Sequence, residues 1–233
     1  NMKKIYIILS IFLISCSSSY EVDDAEKAFA EKYPNLKIES IKKVDSSFFE
    51  IIIKDQILYL TADLKHLLAG NIIDLKTGNN LTEARVKKHR SSVLKNILDA
   101  DTIIYKPKET SHVITVFTDI SCPYCKKLHN EIDKLLENNI EVRYVLFSRN
   151  GKNDVAYRDM VSIWCSTNKK ELIEKAFNDD FLSSKNCENP LDKNYQLGYE
   201  LRVNGTPMIF TEDGAVIPGY LPYKRIIEIL KSG

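Results

Sequence analysis

The sequence lacks the features that would point at once to several large classes of protein. Lysine plus arginine number 33 and aspartate plus glutamate number 32, so neither sign of charge is in excess. This balance implies no nucleic-acid partner and no acidic substrate. The chain also lacks low-complexity tracts and internal repeats, which argues against a repeat array. What remains is a chain of 233 residues, enough for one large or two small folded domains.

A long apolar run is missing as well. The apolar stretch Ile5–Ile14 is too short to span a bilayer. It leads into Leu13-Ile14-Ser15-Cys16, and residues 1–19 resemble a bacterial lipoprotein signal and tether, with Cys16 as the lipid-modified residue. An ordinary secretory signal with an incidental cysteine is the alternative. Both predict export from the cytosol, and the lipoprotein interpretation predicts a periplasmic protein anchored to the membrane through Cys16.

Cysteine is sparse but paired. Of the five cysteines, Cys16 belongs to the signal, and Cys122 and Cys125 stand two residues apart. Cys165 and Cys187 remain. In an oxidising compartment we expect these two to form a structural disulfide, worth about 3 kcal/mol on the chain-entropy estimate. A second redox couple is the alternative.

The pair Cys122 and Cys125 lies where a strand passes into a helix. The β-branched run Val113–Thr118 predicts a buried strand. Apolar residues at helical spacing follow the pair, to about residue 138: Leu128, Ile132, Leu135 and Leu136. The start of a helix favours a thiolate, so we expect Cys122 to have a lowered pKa and to be the nucleophile. Cys125, one turn on, would close a disulfide with it.

Two other interpretations of the cysteine pair remain open. It could be an inert structural disulfide, or half of a metal site with His129 as a third ligand. A metal site usually needs more ligands, and the sequence contains no second pair of this spacing. We therefore expect neither a metal nor any other cofactor.

The first half of the chain predicts a small α+β domain over residues 20–81. A short helix is expected over Asp23–Tyr33, and the strands Phe48–Ile53 and Ile57–Thr61 predict a hairpin. A sheet this small has open edges and often pairs with a second copy, so we expect a homodimer. Residues 82–105 are predicted to be a helical linker between domains; a solvated surface helix of the second domain is the alternative.

The second half, residues 106–233, predicts an α/β domain. A strand over Glu141–Phe147 completes a right-handed β-α-β unit with the cysteine pair at its turn. A mostly helical insertion over Asn153–Tyr199 follows. Two strands, Met208–Thr211 and Ala215–Ile217, and a last helix opening at residues 221–223 complete the order of a thioredoxin-like domain.

Several stretches then closely resemble the bacterial periplasmic disulfide isomerases of the DsbC/DsbG family. These are His112–His129, Ile163–Cys165, the run from Tyr195 to Pro207, and Val216–Tyr220. The resemblance implies an N-terminal dimerisation domain, a helical linker and a thioredoxin-like catalytic domain. It implies an enzyme that reshuffles wrong disulfides in exported proteins through a mixed disulfide at Cys122, and a membrane thiol reductant as electron donor. It also implies that Cys165 and Cys187 form the family's structural disulfide.

The same resemblance implies a substrate-binding surface beside the cysteines. Thr206-Pro207 matches the family's cis-proline loop, whose backbone faces the cysteine pair and binds an extended substrate; an ordinary trans proline is the alternative. Pro123 and Tyr124, between the cysteines, are expected to tune the thiolate and to contact substrate. The simplest thioredoxins carry a buried acid as a proton relay six residues before the first cysteine, where this chain has Val116. That difference favours isomerase or oxidase use over reduction.

Two rival functions compete with a dimeric isomerase, and the second belongs to another class of protein. One is a monomeric thiol oxidase or reductase with a single client. The other is a non-catalytic, chaperone-like lipoprotein that shares only the fold.

Overall fold

In a computed structural model, residues 19–54, 56–178, 180 and 182–232 are described. Cys16 and nearly all of the predicted signal lie outside the described residues. Within these ranges no helix is both long enough and apolar enough to cross a membrane. The described chain forms a four-stranded sheet in its first half and a five-stranded sheet in its second.

The first sheet is antiparallel throughout, in the order β1-β2-β3-β4. Its strands are β1 (Ser40–Lys43), β2 (Phe48–Ile53), β3 (Gln56–Thr61) and β4 (Leu67–Ala69). The predicted hairpin is confirmed, since β2 and β3 pair from Phe48 opposite Thr61 to Ile53 opposite Gln56. Helix α1 (Val22–Lys32) buries Ala25 and Phe29 against this sheet.

Helix α2 (Leu81–Lys95) runs between the two sheets and contacts both. Its first turn is capped by the Asn80 side chain, which accepts a hydrogen bond from the Glu83 N–H. Val86 packs against β3, whereas Val93 and Leu94 pack against the core of the second half. Val86, Val93 and Leu94 thus dock α2 on both sheets.

The helix ends earlier than the sequence predicts. Of the predicted helical linker 82–105, only the part up to Lys95 belongs to α2. A 3-10 turn over Asp99–Asp101 follows, and Ile103–Tyr105 forms β5, an edge strand of the second sheet. This strand takes the place of the last residues of the predicted helical linker.

The second sheet has the order β5-β7-β6-β8-β9. Its remaining strands are β6 (His112–Thr118), β7 (Ile140–Leu146), β8 (Met208–Thr211) and β9 (Val216–Pro218). Strands β6 and β7 are parallel, which confirms the β-α-β unit. The other strand pairs in this sheet are antiparallel.

Helices cover the second sheet. They are α3 (Pro123–His129), α4 (Ile132–Glu137), α5 (Val155–Trp164), α6 (Lys169–Phe177), α7 (Leu191–Glu200) and α8 (Tyr223–Ser232). The single helix predicted after the cysteine pair is broken at Asn130–Glu131 into α3 and α4. The predicted helical insertion is three helices, and Cys187 lies in an irregular segment before α7. This half has two buried clusters, of which the larger includes both cysteines of the pair together with residues of α3, α4, α5, α6 and α8.

Candidate active site

Cys122 lies at the N-cap of α3, a few residues after the end of β6. Its own N–H donates to the carbonyl of Asp119 at 3.0 Å, which closes the turn from strand to helix. Pro123 is the first helical residue, where a missing N–H costs no helical hydrogen bond. The sequence therefore brings a thiol to the helix start by local geometry alone.

Strand pairing in the second sheet brings Thr206 and Pro207 beside Cys122. Strand β8 runs antiparallel to β6 with Met208 opposite Phe117, so the residues just before β8 lie beside those that follow β6. The Thr206–Pro207 peptide bond is cis, as the resemblance implied. The Thr206 carbonyl oxygen lies 3.2 Å from Cys122 Sγ, and the Gly219 N–H donates to the Pro207 carbonyl at 3.0 Å.

The two thiols differ in acidity. Hydrogen bonding from the Cys125 thiol lowers the pKa of Cys122 from 9.0 to about 5, against an opposing effect of burial. The backbone N–H groups of Cys125 and Tyr124 also lower the pKa of Cys122. Burial, followed by the hydrogen bond to Cys122, raises the pKa of Cys125 well above its ordinary value. At neutral pH the site therefore holds one thiolate, Cys122, and one thiol, Cys125.

Around the cysteines the surface is aromatic. Cys122 and Cys125 are buried, whereas Pro123 and Tyr124 between them are exposed. The ring of Tyr124 stacks on that of Tyr220 with centroids 6.5 Å apart, and Lys127 Nζ lies 5.2 Å from the Tyr124 ring centre. Tyr220 is thus a further residue of the site, in addition to those predicted from the sequence.

A buried ion pair supports the turn before Cys122. Asp119 is fully buried; its Oδ2 accepts hydrogen bonds from Arg149 N and Nε, both at 3.0 Å. Its Oδ1 accepts from Ser121 N at 2.9 Å and Ser121 Oγ at 2.7 Å. Hydrogen bonding and charge from Asp119, with smaller contributions from Cys122 and Cys125, raise the pKa of Arg149 against the opposing effect of burial. Asp119 and Arg149 follow the parallel strands β6 and β7, so their meeting at one sheet edge could have been predicted.

His129 does not stand free as a ligand beside the cysteines. Its Nδ1 lies 3.2 Å from the Tyr144 hydroxyl and its Nε2 lies 2.9 Å from Glu174 Oε2. No group of three or more His, Cys, Asp or Glu side chains in the described part of the chain is placed to hold a metal ion. Val116, at the position where simple thioredoxins have their acid, is fully buried on β6.

The remaining two cysteines are joined to each other. Cys165, at the end of α5, forms a disulfide with Cys187 across a separation of 22 residues. The bond closes a loop that contains α6. It leaves Cys122 and Cys125 as the free cysteines of the described chain.

A thiolate, a neighbouring thiol and an adjacent backbone carbonyl are the parts that thiol–disulfide exchange requires. The thiolate attacks a disulfide sulfur, and the second thiol supplies the attack that breaks a mixed disulfide. A backbone carbonyl beside the reacting sulfur is suited to an N–H of an extended chain. The geometry is thus that of a redox site with a buried cysteine pair beneath the exposed residues Pro123 and Tyr124.

Family models match both halves of the chain. The family described as the disulfide bond isomerase protein N-terminal domain matches residues 17–83. The thioredoxin-like domain family matches residues 98–233. The second match begins ahead of β5, which is consistent with that strand's place in the second sheet.

Related proteins are similar in sequence to this chain over nearly its full length. The thiol:disulfide interchange protein DsbC of Dickeya dadantii is 36% identical over 236 residues, covering 99% of this chain and 96% of the relative. DsbC of Escherichia coli strain K12 is 31% identical over 232 residues, covering 98% and 96%. The solved structure of a disulfide interchange protein from Neisseria gonorrhoeae matches with a TM-score of 0.52 and 25% identity, over 58% of this chain and 97% of that chain. The chain therefore belongs to the DsbC family of thiol:disulfide interchange proteins and is a thiol–disulfide oxidoreductase with disulfide isomerase function.

Proposed function

We propose that Cys122 is the nucleophile of this isomerase and that Cys125 is its resolving thiol. The observation that carries this proposal is the position of Cys122 at the N-cap of α3, 3.2 Å from the Thr206 carbonyl oxygen. Its pKa, lowered to about 5 chiefly by the hydrogen bond from the Cys125 thiol, agrees with that role. A thiolate at neutral pH is the reactive form of cysteine.

The exchange balances without an outside oxidant. The Cys122 thiolate attacks one sulfur of a substrate disulfide; the Cys122–substrate bond forms, and the second substrate sulfur leaves as a thiolate. Shuffling ends when another substrate thiolate attacks the mixed disulfide, which makes a new substrate disulfide and frees Cys122. If shuffling stalls, Cys125 attacks Cys122, the substrate leaves reduced by two electrons, and a membrane thiol reductant returns the enzyme to its dithiol form.

Substrate recognition is assigned to the surface around the cysteines. Thr206, turned toward Cys122 by its cis bond to Pro207, would pair through its backbone with an extended segment. The exposed Pro123 and Tyr124 would contact the side chains of that segment. Backbone pairing is indifferent to sequence, which suits exported proteins with varied non-native disulfides.

Trapping tests the roles of the two cysteines. With Cys125→Ala, a protein carrying scrambled disulfides should accumulate as a mixed disulfide through Cys122, detected by non-reducing electrophoresis and peptide mapping. The matched variant Cys122→Ala should trap nothing. Equal trapping by both variants would contradict the assignment of the two roles. Absence of trapping by Cys125→Ala would also contradict it and would favour a non-catalytic chaperone.

The enzyme is further proposed to act as a homodimer that pairs through β4. This strand lies at an edge of the first sheet, and all three of its residues are exposed. Leu68 is 44% exposed and Leu75, a few residues on, is 97% exposed. An open edge with exposed leucines is a surface that a second copy would cover.

Mass in solution tests the dimer. The double change Leu68→Lys and Leu75→Lys should convert the protein to monomers by light scattering, because it places charge at the paired edge. Val44→Lys, beside the opposite edge strand β1 and 40% exposed in the native chain, is the matched control. A wild-type monomer would overturn the proposal and favour the single-client oxidase or reductase.

The site of action is proposed to be the periplasm, with a lipid anchor at Cys16. The tetrapeptide Leu13-Ile14-Ser15-Cys16 supports it. Metabolic labelling with radioactive palmitate should label the expressed full chain but not its Cys16→Ser variant. Unlabelled wild-type protein released in soluble form from the periplasm would support an ordinary secretory signal instead.

A further inference from the structure

A small pocket, which we call the aromatic pocket, adjoins the active site on the side of α7. Its volume is about 220 Å³. Three rings line it, those of Phe147, Tyr195 and Tyr199, together with Val203 and Gly205 of the loop between α7 and β8. The exchange of disulfides does not itself involve this pocket, so its presence beside the cysteines calls for a role in binding.

The aromatic pocket is continuous with the groups around Cys122. Gly205, in its wall, directly precedes Thr206, whose carbonyl oxygen lies 3.2 Å from Cys122 Sγ. Arg149, also in its wall, donates from Nη2 to Ser121 Oγ at 3.2 Å, and Ser121 directly precedes Cys122. An extended chain advances about 3.3 Å per residue. A segment that pairs with Thr206 would therefore bring the side chain one or two positions from its cysteine to this pocket.

The inner wall of the aromatic pocket is tightly packed. Phe147 is buried, and its ring stacks on that of Tyr195 with centroids 5.7 Å apart and planes 12° apart. A β-carbon on Gly198 would lie 2.4 Å from Phe147 Cε2, so the lack of a side chain there lets α7 lie close to this ring. The Val203 N–H donates to the Gly198 carbonyl at 2.7 Å and joins the loop to the helix. A pocket formed in advance binds a side chain without the cost of ordering its walls.

The outer wall is supported from the first half of the chain. Lys54, directly after β2, places its Nζ 3.6 Å from the centre of the Tyr199 ring. A cation over the face of a tyrosine attracts the ring. Tyr199 is 61% exposed, so this contact restrains the orientation of a ring that lies largely in water.

The residues that line the pocket indicate the kind of side chain it would bind. Among the described residues of the lining, Arg149 is the one charged side chain, and its Nε donates to Asp119 Oδ2 at 3.0 Å. None of these lining residues carries a carboxylate. A lysine or arginine of a substrate would thus meet like charge and no anionic partner. Aromatic walls favour an apolar or aromatic side chain instead.

We propose that the aromatic pocket holds an aromatic or large apolar side chain of the substrate, one or two positions from the cysteine that reacts with Cys122. This inference deepens the proposed function and rests on the roles given there to Cys122 and Thr206. Such side chains are mostly buried in a correctly folded protein and are exposed in a misfolded one. The pocket therefore directs Cys122 toward cysteines whose neighbours belong in a core and are not yet there.

The test uses short peptides with one cysteine, joined to glutathione by a disulfide, that differ only at the two positions on each side of that cysteine. The loss of thiolate absorbance at 240 nm gives the rate constant for attack by the reduced protein. Phenylalanine at one of these positions should raise the rate about 10-fold over alanine, the scale of burying a phenyl ring. Lysine at that position should give no gain, and phenylalanine at the others should stay within about two-fold of alanine.

Variants of one pocket residue connect this preference to the pocket. Tyr199→Ala removes the outer wall and should reduce the preference for phenylalanine to about two-fold or less, whereas Tyr199→Phe keeps the ring and should retain the preference. Tyr20→Ala is the matched control, because Tyr20 is an exposed tyrosine in the first half of the chain. It should show the wild-type preference.

The outcomes separate this pocket from the proposed function. A preference for phenylalanine that is equal at every position, or that survives Tyr199→Ala, would mean that another surface binds the ring and would overturn the assignment. Equal rates for all peptides would also overturn it, while Cys122 remains the nucleophile. If the wild-type protein attacks no peptide, or if Cys122→Ala reacts as fast, the proposed function fails instead.

Discussion

A β-carbon placed on Gly214 would lie 2.0 Å from the carbonyl oxygen of Lys87, so the turn between β8 and β9 packs directly on the backbone of α2. Two further contacts join these elements. Ser91 Oγ donates to the Glu212 carbonyl at 2.6 Å, and Lys87 Nζ lies 3.6 Å from Asp213 Oδ2. Helix α2 is therefore seated on the sheet that carries the cysteines.

Gly214→Ala should disrupt the packing of this turn on the backbone of α2. Gly214 has φ of +86° and Gly78 has φ of +75°, but nothing lies within 4 Å of a β-carbon at Gly78. Gly78→Ala should therefore cost only the left-handed backbone, about 1–2 kcal/mol, whereas Gly214→Ala should cost clearly more. Urea unfolding of both variants measures the difference. Equal losses would mean that the α2 contact contributes nothing.

The acidity of Cys122 should depend on its partner. Thiolate absorbance at 240 nm should titrate with a midpoint near the pKa of about 5. In Cys125→Ala the midpoint should rise, because the largest cause of the low pKa is the hydrogen bond from the Cys125 thiol. In Cys122→Ala the transition should disappear. A midpoint that stays in place or falls in Cys125→Ala would contradict this origin.

Stability of the reduced protein should vary with pH in a defined direction. The pKa of Cys122 falls on folding from 9.0 to about 5, so between these values the unfolded state binds more protons than the folded state. The thiolate's contribution is therefore complete above about pH 9 and is lost as the pH falls toward 5. The free energy of unfolding of wild type, minus that of Cys122→Ala, should shrink from pH 9 to pH 5. A free-energy difference that stays constant or grows on acidification would refute the predicted pH dependence.

Arg149→Ala should destabilise the turn before Cys122. The variant leaves the fully buried Asp119 carboxylate without its cationic partner, although Ser121 still donates to it. Because the Arg149 side chain is 36% exposed, the expected loss is about 1–3 kcal/mol, less than for a fully buried pair. Arg225→Ala, which breaks an exposed pair with Glu228, is the control and should cost under about 0.5 kcal/mol. Chemical unfolding that ranks the two variants in the opposite order would count against this role.

Local sequence patterns were sufficient for much of the second sheet. The apolar run of β6, the helical spacing after it and the run of β7 predict the parallel unit, because each element carries its own periodicity. The segment Ile103–Tyr105 is too short to show a periodicity of its own. It is a strand only because it pairs with Val142–Tyr144. The break between α3 and α4 likewise depends on distant groups, since Glu131 accepts hydrogen bonds from Tyr220 OH and Tyr223 N.

Some residues of the candidate site are likewise indicated by local sequence patterns, whereas others are not. Cys122 and Cys125 could be found from their spacing and their place between strand and helix. Thr206 lies 84 residues along the chain from Cys122, so its place there followed from the family resemblance and not from any local pattern. The contacts of His129 with Tyr144 and Glu174 join three elements, and no spacing in the sequence indicates them.

The Cys165–Cys187 disulfide links the maturation of this enzyme to the oxidation of its own cysteines. The bond closes the loop that contains α6, and α6 supplies the carboxylate of Glu174 and the ring of Phe177 to His129. Until this pair is oxidised, the loop that carries α6 lacks its covalent closure, so α6 is held less firmly against His129 on α3. A catalyst that edits the disulfides of other chains thus uses a disulfide of its own to fix a helix that packs on its catalytic helix α3.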